Sequence, residues 1–489
     1  MNMKNFYNLA INRIEKESER IAQILPIIKK GRIVGEQKFK WKEIILRSKE
    51  IQLYIGRKSF VKRIGIFLPN NEHYLPTFLA SLALNLEIIS INPFLTLEEL
   101  NKIIKINKIG YVLTDSKTIK RLRKINRGDI ILVDKIRHKE EHFKKIYSNT
   151  KLKDIIVISP TSGTSGSSKW VGLSNKNIIW ASNKYKEIYK MNKKSIIIAA
   201  LPFYYNYGMF ANLTSSILSG SSIILLQKWN PKIVVQAIKR YKVNIFSGSP
   251  FMYLDIIPKI KNNRDLKSLE ICDVGGTPMP IEKIKEFEIK SGAIITEGYG
   301  LTETTSLTHF NPHAKDREIG SIGKKIKGCQ CKILSVENRP VKRGDWGVLW
   351  VKGPMIASKY VYPKEENIRR FKNGWFNTED VVKVDKNNFY FLMGRLSDLN
   401  SVPQQIFPRT IEEKLYKFKG VKECAVIFGK LEHEKIKNYE IYVVLRNSAI
   451  KNQFFKFIKS DLGDLPIQKV KILKKMPKTY TGKIKKSNL

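Results

Sequence analysis

Residues 161–177 read T-S-G-T-S-G-S-S-K-W-V-G-L-S-N-K-N. A short apolar stretch, 154–159, precedes them and reads as a strand, and 176–189 follows with apolar residues at helical spacing. Within 161–173, three glycines and six hydroxyl side chains surround a single lysine, Lys169. Glycine lets a backbone turn tightly and approach a ligand, while free N–H groups, hydroxyls and an ammonium can all donate to phosphate oxygens. The segment is therefore expected to be a loop that cradles a polyphosphate. It is not a Walker A loop: that motif needs Gly-Lys-Ser/Thr, whereas here Ser168 precedes Lys169 and Trp170 follows it.

The chain of 489 residues is too long for one ordinary core, and its 42% hydrophobic content suits a globular protein of two or more domains. No apolar run approaches the roughly 18 residues needed to span a membrane, and residues 1–19 mix both charge signs, so a cytoplasmic protein without a membrane span is expected. Four cysteines, Cys272, Cys329, Cys331 and Cys424, are too few and too irregularly spaced for a disulfide framework or a zinc site, and read as reduced packing residues. The net charge of +45 raises polyanion binding as another class of function. The Lys and Arg residues are scattered through every segment, with no zinc finger, RNA-recognition signature or basic arm, so specific nucleic-acid binding is not expected.

Residues 6–28 and 41–54 carry apolar positions at helical spacing. Strands at 64–68, 87–91, 111–114 and 129–133 alternate with helices at 72–86 and 97–107, which implies a parallel sheet. A second α/β unit has strands at 195–201, 222–226, 243–247 and 269–274, with a helix at 231–241. Ligands of open α/β sheets bind beyond the carboxyl ends of strands. That rule places Tyr205, Asn206, Tyr207 and Gly208, and after a later strand Phe251, around a pocket. Next come the turn Gly275-Gly276-Thr277-Pro278 and then Glu297-Gly298-Tyr299-Gly300-Leu301-Thr302-Glu303. Here two glycines let the backbone wrap a nucleotide, Tyr299 offers a ring to adenine, and Thr302 can donate to a phosphate. Glu303 is a hard oxygen ligand for Mg²⁺. A β-rich segment from 320 carries Asp380 and Arg395, and a smaller α+β segment ends in Pro477-Lys478-Thr479-Tyr480-Thr481-Gly482-Lys483.

In this order the motifs resemble those of the adenylate-forming superfamily, which includes acyl-CoA synthetases, aryl-CoA ligases, peptide-synthetase adenylation domains and beetle luciferase. The resemblance covers about 39–483 and matches T-S-G-T-T-G-x-P-K-G-V, L-P-x-x-H-x-x-G, G-G-A-P, G-Y-G-x-T-E and P-x-T-x-x-G-K. It implies an α/β fold: a large N-terminal domain of two α/β subdomains and a small β-rich subdomain (1–395), a hinge (396–398), and a small α+β lid domain (399–489). It also implies an ATP- and Mg²⁺-dependent, AMP-forming acid–thiol ligase. A carboxylic acid would become an acyl-adenylate and then pass to coenzyme A or to the phosphopantetheine arm of a carrier protein. By the same resemblance the ATP- and AMP-binding residues are Thr161, Ser162, Gly163, Thr164, Ser165, Gly166, Lys169, Gly276, Thr277, Glu297, Gly298, Tyr299, Gly300, Thr302, Asp380, Arg395 and Lys483. Lys483, Thr302 and Glu303 are the catalytic set, with Glu303 the metal ligand. Asp380 would accept from the ribose hydroxyls, and Lys483 would bridge carboxylate and α-phosphate.

The chain departs from the family pattern at several positions. Trp170 and Glu379 stand where glycine is usual, and a positive φ at either would strain the backbone. Ser397 occupies the hinge position usually held by Asp or Lys, and 401–405 (S-V-P-Q-Q) is a shortened lid loop without glycine, which makes adenylation better supported than thioester formation. Asn206 is a neutral amide where amino-acid-activating relatives place an Asp nearby, so an acid lacking an α-amine is favoured.

Overall fold

The computed structural model describes residues 5–121, 129–137, 154–161, 169–312, 316–398, 406–428, 438–479 and 482–489. The expected phosphate-loop residues Ser162, Gly163, Thr164, Ser165 and Gly166 lie outside these, as do the lid loop 401–405 and most of the charged linker after 135.

Two large sheets carry the N-terminal domain. In the seven-stranded one, Arg63–Ile66, Glu87–Ser90, Tyr111–Thr114, Ile130–Leu132 and Val157–Pro160 run parallel, and Trp170–Leu173 and Lys359–Tyr362 close one edge antiparallel. In the nine-stranded one, Ile196–Ala199, Ser222–Leu225, Ile245–Gly248, Ile271–Gly275 and Ile295–Tyr299 are parallel. Their parallel strands are mostly apolar and mostly buried, as parallel sheets require. Helix ends follow local chemistry. Leu97–Asn107 begins at Thr96, whose hydroxyl accepts from Glu99 N–H while the Glu99 carboxylate accepts from Thr96 N–H. Pro231–Tyr241 starts on the Asn230 cap with proline in its first turn.

Two expectations need correction. The helix expected through residue 28 stops at Glu15, and Ile21–Lys29 is a strand paired with Arg32–Lys40. Lys30 and Gly31 both take positive φ in a two-residue hairpin turn, and the Ile-rich run with Pro26 at its centre suits a strand better than a helix interior. Trp170–Leu173, expected as loop, is a buried strand gripped between Val157–Pro160 and Lys359–Tyr362. Phe251, expected beside a pocket after a strand, lies in the helix Pro250–Ile256.

A smaller β-rich unit contains Gln330–Leu334, Trp346–Lys352, Trp375–Val384 and Tyr390–Arg395. Cys329 and Cys331 share a face at its edge with their sulfurs 3.7 Å apart. The C-terminal domain has its own three-stranded sheet, Val421–Phe428, Tyr439–Leu445 and Ile467–Ile472, over a separate core that includes Ile411, Leu415 and Phe454. It docks through Arg409, which donates to Gly320 O at 3.0 Å, and through Arg446, paired with Glu286 at 3.0 Å.

Candidate active site

The parallel strands of the larger sheet end at a cavity of about 180 Å³, lined by Tyr205, Trp229, Phe251, Gly275, Gly276 and Thr277, with Lys483 reaching in from the C-terminal domain. Thus Tyr205, Phe251, Gly276, Thr277 and Lys483, far apart in sequence, share one crevice. Gly276 has φ +87°, and a Cβ there would stand 3.5 Å from Tyr205 Oη and 4.0 Å from Lys483 Cε, so the glycine borders the space between them. Gly482, at φ +81°, lies flat on Phe251: a Cβ would fall 1.9 Å from the ring. Glycine at 482 is what lets the terminal segment seat this closely.

Beside the crevice, Tyr299 donates to Asp380 Oδ2 at 2.6 Å, and Arg395 Nε stands 3.0 Å from Asp380 Oδ1. Burial pushes the Asp380 carboxyl above its ordinary range, against the pull of Arg395. Tyr299 also meets His309 edge-on at 5.7 Å. Glu379 has φ +57°, the strained geometry foreseen for that position, whereas Trp170 lies in regular strand. The Glu379 carboxylate is held by Arg369 at 2.6 Å and by buried Arg370.

Lys169 and Thr161 flank the segment expected to cradle phosphate, and the Lys169 carbonyl accepts from Thr161 N–H at 2.8 Å. Its ammonium pairs with Glu366 at 2.8 Å, and Glu366 also takes Arg369 at 2.7 Å. Thr302 Oγ1 donates to Pro160 O at 3.5 Å, tying the segment that holds Glu303 to the loop's entry strand. Buried Glu303 accepts from Tyr360 Oη at 2.7 Å, and burial followed by this carboxylate drives the Tyr360 phenol well above its usual range. Gly300 is required where it stands, since a Cβ would lie 1.6 Å from Ser306 O. Among the described residues no three His, Cys, Asp or Glu side chains are grouped to hold a metal.

Other expected residues face elsewhere. Glu297 accepts from Gly320 N–H at 2.8 Å, turned toward the subdomain boundary, and burial pushes its carboxyl up to about 7. Gly208 presses on Pro202 O, 2.2 Å from where a Cβ would be, and Asn206 is buried without a side-chain hydrogen bond among the described residues. Tyr207 points inward, its hydroxyl 2.6 Å from Asp273 Oδ2. Asp273, Tyr360 and Glu366 were missed by sequence reasoning. Only Asp273 left a signal, as a carboxylate inside the apolar strand I-C-D-V-G.

Comparison with known proteins agrees with this geometry. The family model for AMP-binding enzymes matches residues 60–361, and that for the AMP-binding enzyme C-terminal domain matches 410–483. A long-chain-fatty-acid–CoA ligase of Bacillus subtilis (strain 168) is 30% identical over 346 residues, 69% of this chain and 61% of the relative, so the chain spans under two thirds of that relative's length. A 2-succinylbenzoate–CoA ligase of the same organism is 24% identical over 99% of this chain and 97% of the relative. The crystal structure of ATP-bound MatB from Rhodopseudomonas palustris superposes with a TM-score of 0.87 at 21% identity, covering 99% of this chain and 98% of that one. Among the described residues no helix is long and apolar enough to cross a membrane. With both its domains matched, in the order its loops implied, the chain belongs to the AMP-binding enzyme family of adenylate-forming enzymes.

Proposed function

We propose that this protein is an ATP-dependent, AMP-forming ligase that activates a carboxylic acid as its acyl-adenylate and transfers the acyl group to coenzyme A. The observation that carries the reading is the meeting of Lys483 with Gly276, Thr277 and Tyr205 in one crevice, although Lys483 belongs to the other domain. An ammonium there is suited to draw the acid's carboxylate onto the α-phosphate and to neutralise the charge that builds on the phosphoryl oxygens, so catalysis is positioning plus electrostatics. Thr302 would donate to the same phosphate. Lys169 would exchange Glu366 for phosphate oxygens, and Asp380 would accept from the ribose hydroxyls beside Arg395. Bound Mg²⁺, held by Glu303 and the phosphates, would supply charge neutralisation. Residues 396–398 would be the hinge about which the C-terminal domain swings, withdrawing Lys483 so that a thiol can enter. Names of the relatives, which include fatty-acid, feruloyl and succinylbenzoate ligases or synthases, support coenzyme A as acceptor and leave a broad class of acids.

Pyrophosphate exchange with a panel of fatty and aryl acids tests the first step, and the mass of the thioester formed on coenzyme A or on a carrier protein tests the second. Exchange with at least one acid is expected, and coenzyme A thioester with it. Bound ATP with no exchange for any acid would refute the ligase reading. Acyl-adenylate without coenzyme A thioester would refute the acceptor.

A further inference from the structure

Behind the Tyr299 ring, with no part in the chemistry above, two sulfurs and an imidazole meet. Cys329 closes a turn, its N–H donating to Ile326 O at 3.0 Å, and Cys331 lies on Gln330–Leu334, the edge strand of the β-rich unit. Residues two apart along an extended chain point to one face, which brings Cys329 Sγ to 3.7 Å from Cys331 Sγ. Cys331 Sγ also stands 3.5 Å from His309 Nε2. His309 is fully buried, with Nδ1 3.0 Å from Thr308 Oγ1 and its ring packed against Tyr390 at 4.5 Å and Tyr299 at 5.7 Å. So held, the imidazole keeps Nε2 on the sulfur.

The two sulfurs are not equivalent. Cys329 is 5% exposed, and its thiol can also donate to Gln330 O at 3.7 Å, whereas Cys331 is partly exposed. The hydrogen bond from Cys329, then the contact with His309 and the charge of Lys325, hold the Cys331 thiol below its ordinary range against the effect of burial. The same bond, together with burial, pushes the Cys329 thiol up. Thiolates are the nucleophiles of sulfur chemistry, so Cys331 is the sulfur set to attack and Cys329 the one that keeps its proton. Burial pushes the Cys272 and Cys424 thiols up as well, which makes them unreactive references within the same chain.

We infer that Cys329 and Cys331 form an oxidative modification site, in which Cys331 reduces a hydroperoxide and Cys329 resolves the product as a disulfide between the two. The Cys331 sulfur attacks one peroxide oxygen; an S–O bond forms, the O–O bond breaks, and the departing alkoxide or hydroxide takes a proton from water. The Cys329 sulfur then attacks the sulfenic acid; the S–S bond forms, the S–O bond breaks, and water leaves with the Cys329 proton. Two thiols thus give up two electrons and the peroxide accepts them. Cys329 lies one residue outside the sheet ladder, which begins at Gln330 opposite Lys352. Closure from 3.7 Å to the roughly 2.0 Å of a disulfide therefore falls on the turn and not on the paired strand.

This chemistry is independent of the ligase reading, and its test needs no acid, ATP or acceptor. Trypsin releases residues 328–332, which hold Cys329 and Cys331 and no other cysteine. The native protein is treated with graded hydrogen peroxide, its remaining thiols are alkylated in denaturant, and this peptide is weighed. It should lose two hydrogens and both alkylation sites together, at doses about 10-fold below those that oxidise Cys272 or Cys424, and dithiothreitol should restore both thiols. Cys329→Ser should stop at a sulfenic acid on Cys331 that dimedone traps, and Cys331→Ser should leave Cys329 reduced. The inference is overturned if the pair oxidises no more readily than Cys272 and Cys424, if Cys329 is still oxidised in Cys331→Ser, or if native Cys331 proceeds to sulfinic acid without a disulfide. The native chain decides the first and third of these without any variant.

Discussion

Replacing Glu379 with glycine sets two effects of one residue against each other. At φ +57° a side chain costs about 1–2 kcal/mol relative to a relaxed backbone, and glycine removes that cost. The same change strips Arg370 of its carboxylate, and Arg370 is buried. Breaking a buried pair by removing one partner typically costs about 3–5 kcal/mol. The guanidinium keeps the carbonyls of Asn377 at 2.7 Å and Thr378 at 3.2 Å, so the lower end of that range applies here. Arg369 is half exposed, and losing its pair adds about 1 kcal/mol at most. The net expectation is a loss of about 2 kcal/mol, which for a urea slope of about 3 kcal/mol/M lowers the unfolding midpoint by about 0.7 M. Tryptophan fluorescence suits the measurement, because Trp350 and Trp375 lie in the sheet around this strand. Glu379→Gln keeps the strain and loses the charge, so it should fall further than Glu379→Gly. A midpoint for Glu379→Gly at or above that of the native chain would show that backbone strain outweighs the ion pairs, and the reasoning would fail.

Gly482→Ala places a methyl into Phe251 and forces an alanine to φ +81°, so exchange should drop at least about 10-fold, with Phe251→Ala in the same chain restoring part of it; unchanged exchange would mean that this seating is not used in adenylation. Tyr360→Phe removes the donor to Glu303 and should cost about 1–3 kcal/mol. Mg·ATP should recover more of the melting temperature in this variant than in the native chain, and an equal increment would speak against Glu303 as the metal ligand. Asp273 holds its proton up to about pH 6 when folded and only to about 3.8, its ordinary value, when unfolded. Its contribution to stability is therefore full below pH 3.8 and lost as pH rises through 6, so Asp273→Asn should gain on the native chain by about 3 kcal/mol between pH 4 and 8. A flat difference in urea midpoints across that range would contradict it.

Where the sequence punctuated its own structure, reading it was enough. Thr96 with Glu99, and Asn230 with Pro231, bracket helices whose observed limits, Leu97–Asn107 and Pro231–Tyr241, match the expectation. Glycine carried similar weight: the family's glycine before Asp380 marks a position that does take positive φ, even with Glu379 in its place. The strand Ile21–Lys29 escaped because its spacing also fits a helix, and its parallel partner, Ile223 and Ile224, lies about two hundred residues later. The site's motifs were legible as a set, but the side chains that hold them were not. Tyr360 and Glu366 come from a segment without any motif, and Asp273 meets tyrosines 66 and 84 residues away. Long-range pairing of single polar groups has no periodic trace in a chain.

The early hairpin has a consequence for biogenesis. Ile21–Lys29 is a lodger in the later sheet: its parallel neighbour Ser222–Leu225 is made nearly two hundred residues afterwards, once all the parallel strands of the other sheet have been synthesised. On the ribosome this hairpin must wait, with the other edge of its Ile-rich strand unpaired, while the intervening sheet assembles. The two halves are thereby stitched together, and cutting the gene between them would yield one fragment missing an edge and another carrying an orphaned ribbon.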